Sequence, residues 1–129
     1  MTAEDAAEIR RRLDGMVDCY NNNNMYEAAK YFLVDCTCMA PGKPTFVGRE
    51  GQAASFRRSF EILGVTKLLW KVDLFHHLDD EVALTSYFWH NINDDGVDLC
   101  NGKGCFMWRK VRGEWMIAVE VWNCNPDDK

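Results

Sequence analysis

The chain has 129 residues, 47% hydrophobic and 27% charged, with a formal net charge of -5. That is the make-up of one globular domain spanning 1–129, long enough to bury a core without staples. The acidic balance, with no dense Lys/Arg cluster, excludes the basic face that nucleic acid or an anionic membrane surface requires.

The first stretch, MTAEDAAEIRRRLDGM, lacks the apolar run of a signal peptide, and no segment is long enough to span a bilayer, so the expected compartment is the cytoplasm. Within it Thr2 reads as an N-cap, with Asp5 in the place of a capping-box acid. Ile9, Leu13, Met16, Val17 and Tyr20 then recur at helical spacing and give an apolar stripe. Asn21 to Asn24 end this helix, because asparagine tolerates the left-handed conformation, and a short second helix is expected over Met25 to Phe32. Val34 to Pro41 alternates as a strand stopped by Pro41-Gly42, and a brief edge strand follows at Thr45 to Val47. Gly48 opens a third helix whose apolar side is Phe56, Phe60 and Leu63, and Gly64 ends it.

From Thr66 onward the pattern is strand. Thr66 to Leu78 turns at Asp79-Asp80 into Val82 to Ile92, which turns at Asn93 to Gly96 into a ribbon from Gly102 to Asn123. The ribbon folds back at Arg112-Gly113, where glycine supplies the positive φ of a tight hairpin, so Val111 faces Glu114. Counting from there pairs Trp108 with Ile117, Phe106 with Val119, Cys105 with Glu120 and Lys103 with Trp122. Three helices and a long antiparallel meander make an α+β layout, with the helices segregated on one face of a curved sheet.

Cys19, Cys36, Cys38, Cys100, Cys105 and Cys124 read as reduced thiols. None has Cys-x-x-Cys spacing, so no metal site and no cofactor is expected.

The two leading helices, the strand ending in Pro-Gly, the Gly-Arg-Glu-Gly opening of the third helix and the closing MWRKVRGEWMIAVEVWN resemble the nuclear transport factor 2-like superfamily. Within it, the polyketide cyclase (SnoaL-like) and ketosteroid isomerase branch is the nearest in appearance. The resemblance implies a cone: a curved, mainly antiparallel sheet closed by three N-terminal helices, with a ligand pocket on its concave face and pairing of two chains through the outer one. Carried onto this chain, it puts Trp122 and Ala118 in the pocket and Cys105 where an isomerase has its oxyanion-hole acid.

The concave face is then expected to carry Phe75, Leu84, Cys105 and Glu120 in one row, Asp73, Ser86, Lys103 and Trp122 in the next, and His77, Val82, Met107 and Ala118 in a third. Hydrophobicity alone nominates the opposite face, with Trp70, Trp89, Tyr87, Phe106 and Trp108. The two readings are compatible if that second face is the subunit interface of a homodimer, with Trp89, Phe106 and Trp108 at the contact. The expected ligand site is therefore Met16, Tyr20, Ser86, Phe88, Cys105, Met107 and Trp122, around a small apolar molecule.

Glu120 is the catalytic candidate, since a carboxylate in an apolar cavity has its pKa raised and can trade protons near neutrality. The alternative is an ion pair with Lys103 or a place at the mouth of the cone. An isomerase mechanism lacks its parts: the general-base aspartate aligns with Ala40, the helix phenol with Met16 and the oxyanion-hole acid with Cys105. Of His76 and His77 at most one can enter the cavity, and His90 lies near the rim. Three functions remain open: a small-molecule binder, an acid/base enzyme (cyclase, dehydratase or isomerase) using Glu120, and a protein-association module.

Overall fold

Thr2 and Asp5 form the reciprocal cap that starts the chain's first helix, α1 (Ala3–Asn21): the Thr2 hydroxyl accepts from the Asp5 N–H, and the Asp5 carboxylate accepts from the Thr2 N–H. The Asp5 carboxylate also accepts from Lys110 Nζ and Trp115 Nε1, each at 3.0 Å, which fastens the helix start to the sheet. Those bonds hold the Asp5 carboxyl well below the usual carboxylate range. The stripe Ile9, Leu13, Met16, Val17 and Tyr20 is buried as its spacing requires. Asn23, with φ 60°, makes the left-handed turn into α2 (Met25–Ala29).

The computed structural model describes residues 2–64 and 66–126. After α2 come β1 (Phe32–Met39), β2 (Phe46–Val47), α3 (Arg49–Leu63), β3 (Lys67–Asp79), β4 (Val82–Ile92), β5 (Asp98–Val111) and β6 (Glu114–Cys124). They form one open six-stranded sheet in the order β2-β1-β6-β5-β4-β3, antiparallel except where β1 runs parallel to β6. The architecture is α+β, with the helices preceding the meander. Among the described residues no helix is long and apolar enough to cross a membrane.

The β5–β6 hairpin turns through Arg112 and Gly113, both at positive φ (53° and 78°), and Val111 pairs with Glu114 and Trp108 with Ile117 as counted from the turn. Beyond that point the ladder shifts. Met107 pairs with Val119, so Ala118 is an extra residue, a bulge on β6. Phe106 consequently faces Glu120, Cys105 faces Val121 and Gly104 faces Trp122, correcting the expected pairs. Irregularities at Asp73 and Leu78 shift β3 in the same way: His77 pairs with Ala83, and Leu74 rather than Asp73 pairs with Ser86.

The face covered by the helices is thus the more hydrophobic one. Phe106, Trp108, Trp115, Ile117, Tyr87 and Trp89 share a core with Ile9, Leu13 and Met16. Trp108 is fully buried and satisfies its indole N–H on the Thr85 hydroxyl at 3.0 Å. The expectation that Trp89, Phe106 and Trp108 lie at a subunit contact is corrected: they are 7%, 2% and 0% exposed beneath the helices. Leu69, Leu74, Phe88 and Val121 are the exposed apolar side chains of the other face.

Candidate functional site

Three elements converge on Glu120. The bulge at Ala118 turns the second half of β6 over, so that Glu120 and Trp122 point inward with Phe106. Gln52 comes from the first turn of α3, where its N–H bonds to the Gly48 carbonyl, and its Nε2 donates to Glu120 Oε1 at 2.8 Å. Tyr87 comes from β4, two strands away, and its hydroxyl donates to Glu120 Oε2 at 3.3 Å. The phenol reaches that far because the strand between has a glycine there: a Cβ on Gly104 would lie 2.7 Å from both the Tyr87 ring and the Val121 carbonyl.

Glu120 is 5% exposed. Burial pushes its carboxyl up to about 7, although the hydrogen bonds from Gln52 and Tyr87 act to lower it and the nearby Cys36 thiol adds to the rise. The Tyr87 phenol is raised in turn, by burial and by the carboxyl it serves. Beside Glu120 in the parallel ladder stands Cys38, whose Sγ is 4.0 Å from that of Cys36. The contact draws the Cys36 thiol down to about 7 and pushes Cys38 up.

A half-open cleft of about 80 Å³ lies over this group. Its apolar walls are Met16, Phe56, Leu68, Trp70, Trp89, Phe106 and Trp122, and its polar groups are Tyr20, Ser55, Ser59, Tyr87, Asn91 and Glu120. Met16, Tyr20, Glu120 and Trp122 are the sequence-expected residues brought together here. Ser86, Phe88, Cys105 and Met107 are not, and their expected place in the cavity is corrected. Bulges in β3 and β6 leave those positions of β4 and β5 on the outer face, where Ser86, Phe88 and Cys105 line a shallow groove of about 280 Å³ with Asp73 and Lys103. That groove is larger, but Phe88 and Val121 in its walls are 46% and 39% exposed. The enclosed carboxyl belongs to the inner cleft.

Glu120 has no ion pair with Lys103, because the two side chains point to opposite faces. His76, His77 and His90 are exposed, and His90 is engaged with Asp98 at 2.7 Å. Among the described residues no group of three or more metal-ligating side chains comes together.

Gln52 and Tyr87 escaped the sequence reading. Gln52 stands four residues before Phe56, on the inward stripe of α3, and a polar residue at such a position signals a buried partner. Gly104 inside an aromatic strand marks a place where another side chain crosses close by.

The arrangement of helices and sheet is that of known folds. A domain of unknown function with a cystatin-like fold from Nostoc punctiforme superposes with a TM-score of 0.85 at 18% identity, covering 98% of this chain and 81% of that one. A ketosteroid isomerase-like protein from Erwinia carotovora atroseptica gives 0.78 at 19% identity, covering 98% and 100%. An NTF-2 like protein of unknown function from Shewanella oneidensis gives 0.77 at 14% identity, covering 92% and 98%. This is a nuclear transport factor 2-like fold. The Glu120 cleft occupies the space between the sheet and the helices of the NTF2-like cone. No family model matches the sequence, and no curated protein matches it. At these identities the likeness carries the fold and leaves the chemistry to the residues.

Proposed function

We propose that this cone-fold domain binds a small molecule in the inner cleft, with the polar part of the ligand held at Glu120. The observation that supports this is the convergence of one buried carboxyl, one carboxamide and two serines in a cleft otherwise walled by aromatic and aliphatic side chains. Native mass spectrometry of freshly purified protein is the test. A retained small molecule, lost or weakened in Glu120→Gln, is the expected result; a protein that carries nothing and binds no member of a fragment collection sinks the reading.

A second reading, acid/base catalysis, is favoured by the carboxyl's position near neutrality with the Tyr87 phenol on one oxygen. A group with that pKa takes and returns a proton at physiological pH, as enolisation of a carbonyl compound requires. Turnover of small ketones with an inflection near pH 7, abolished in Glu120→Gln, is the expected signature. Turnover that survives the substitution removes Glu120 from the mechanism.

We further propose a homodimer through the outer sheet face, supported by the exposed Leu69, Leu74, Phe88 and Val121 there. A clean monomer at micromolar concentration in sedimentation defeats this. The proposed setting is the cytoplasm, in keeping with six cysteines none of which is in a disulfide among the described residues.

A further inference from the structure

Glu120 is buried, and its two hydrogen-bond partners, Gln52 and Tyr87, are neutral donors. Among the described residues no lysine, arginine or histidine forms an ion pair with it. A carboxylate taken out of water without a countercharge is penalised, so burial favours the neutral acid. A ligand that brings a positive charge reverses that preference.

The walls suit such a ligand. Trp89 and Trp122 meet edge to face at 5.5 Å and 79°, and Trp70 meets Tyr87 at 5.0 Å and 78°. All four line the cleft, so it has two corners in which ring faces stand nearly perpendicular. Aromatic faces carry negative potential and attract a weakly hydrated cation, most strongly where water is excluded. The cavity of about 80 Å³ takes a compact head group, well below the ~300–1,000 Å³ usual for larger ligands. The formal net charge of -5 draws cations toward the protein.

We propose that the inner cleft is a site for a small organic cation, an alkylated ammonium head group seated between Trp70, Trp89 and Trp122 with its charge toward Glu120. This rests on the small-molecule reading above and names the class of its ligand.

The test titrates tryptophan fluorescence of the full chain with choline and with its neutral carbon isostere, 3,3-dimethylbutan-1-ol, which has the same shape and hydroxyl. Saturable binding of choline at least about tenfold tighter than the isostere is expected, with the preference lost in Glu120→Gln and weakened in Trp122→Leu. Equal binding of the two probes in the wild type overturns the cationic class while leaving a small-molecule site in place. Failure of both probes also overturns it, and the retained-ligand measurement then decides the broader reading separately. The wild-type comparison needs no variant, so a substitution that fails to fold does not blunt it.

Discussion

The two faces of the meander are built from similar residues and do different things. The inner face carries Trp70, Tyr87, Trp89, Phe106, Trp108 and Glu120, under the helices, and there a carboxyl is desolvated and wired to two donors. The outer face carries Ser86, Phe88, Lys103, Cys105 and Met107, half-buried or exposed, around a shallow groove with Phe88 and Val121 in its walls. The same alternation generates both, and single extra residues on β3 and β6 decide which side chains join which face. The chemistry of this domain is therefore set by where the sheet breaks its own rhythm.

Inserting one alanine between Val119 and Glu120 is the strongest way to break that contrast. The added residue moves Glu120 and Trp122 to the outer face while Trp115 and Ile117 keep their places, leaving the core without its far half. Loss of the cooperative unfolding transition by circular dichroism is expected; a stable variant with native near-ultraviolet spectrum contradicts the assigned register. Next in size, Trp108→Ala removes a fully buried indole bonded to Thr85, costing about 3–5 kcal/mol in urea denaturation.

The third prediction concerns pH. Glu120 is raised from the 4.5 of a free glutamate to about 7 in the fold, so the folded state holds a proton that the unfolded chain releases. Its contribution is fully present below pH 4.5 and is lost as pH rises through 7, a fall of about 3 kcal/mol across the window. Chemical denaturation at pH 5 and pH 8 checks this, and Glu120→Gln removes that part of the slope. Cys36, drawn down to about 7 from 9, acts in the opposite sense above that window, and Asp5, held low by its cap, loses its share only in acid. A wild-type slope equal to that of Glu120→Gln refutes the desolvated carboxyl.

Gly104→Ala is expected to cost about 1–3 kcal/mol by driving the Tyr87 ring off its strand, and to shift the pH midpoint assigned to Glu120 because the phenol no longer reaches it. Phe88→Ala on the outer face is the smallest effect, within about 0.5 kcal/mol for the monomer. A loss as large as that of Trp108→Ala would mean that the outer face is as buried as the inner one.

Much of the frame was legible because its signals are local. The Thr2–Asp5 cap, the stripe from Ile9 to Tyr20, the Asn junction and the Arg112-Gly113 turn each depend on residues a few positions apart, and all are realised. Glu120 stood out as an acid among apolar neighbours. Its surroundings were misread because register was carried across the bulges of the meander, and each skipped residue flips every later side chain to the other face. Both faces here are apolar enough that composition raised only a mild objection, and hydrophobicity, which favoured Trp89, Phe106 and Trp108 as core, was the better guide. Gln52 and Tyr87 meet Glu120 across 68 and 33 positions of sequence, a distance at which spacing alone says nothing of contact.

The parallel seam between β1 and β6 has a consequence for how the protein is made. Cys38 lies alongside Glu120, and Phe32 alongside Ile117, so β1, with β2 beside it, must wait for β6 before it joins the rest of the sheet. Pairings of such high sequence separation are slow to form and cannot begin while the C-terminal strand is still inside the ribosome. During synthesis the early strands stand unzipped from their final neighbour, and the cleft comes into being only once β6 has emerged.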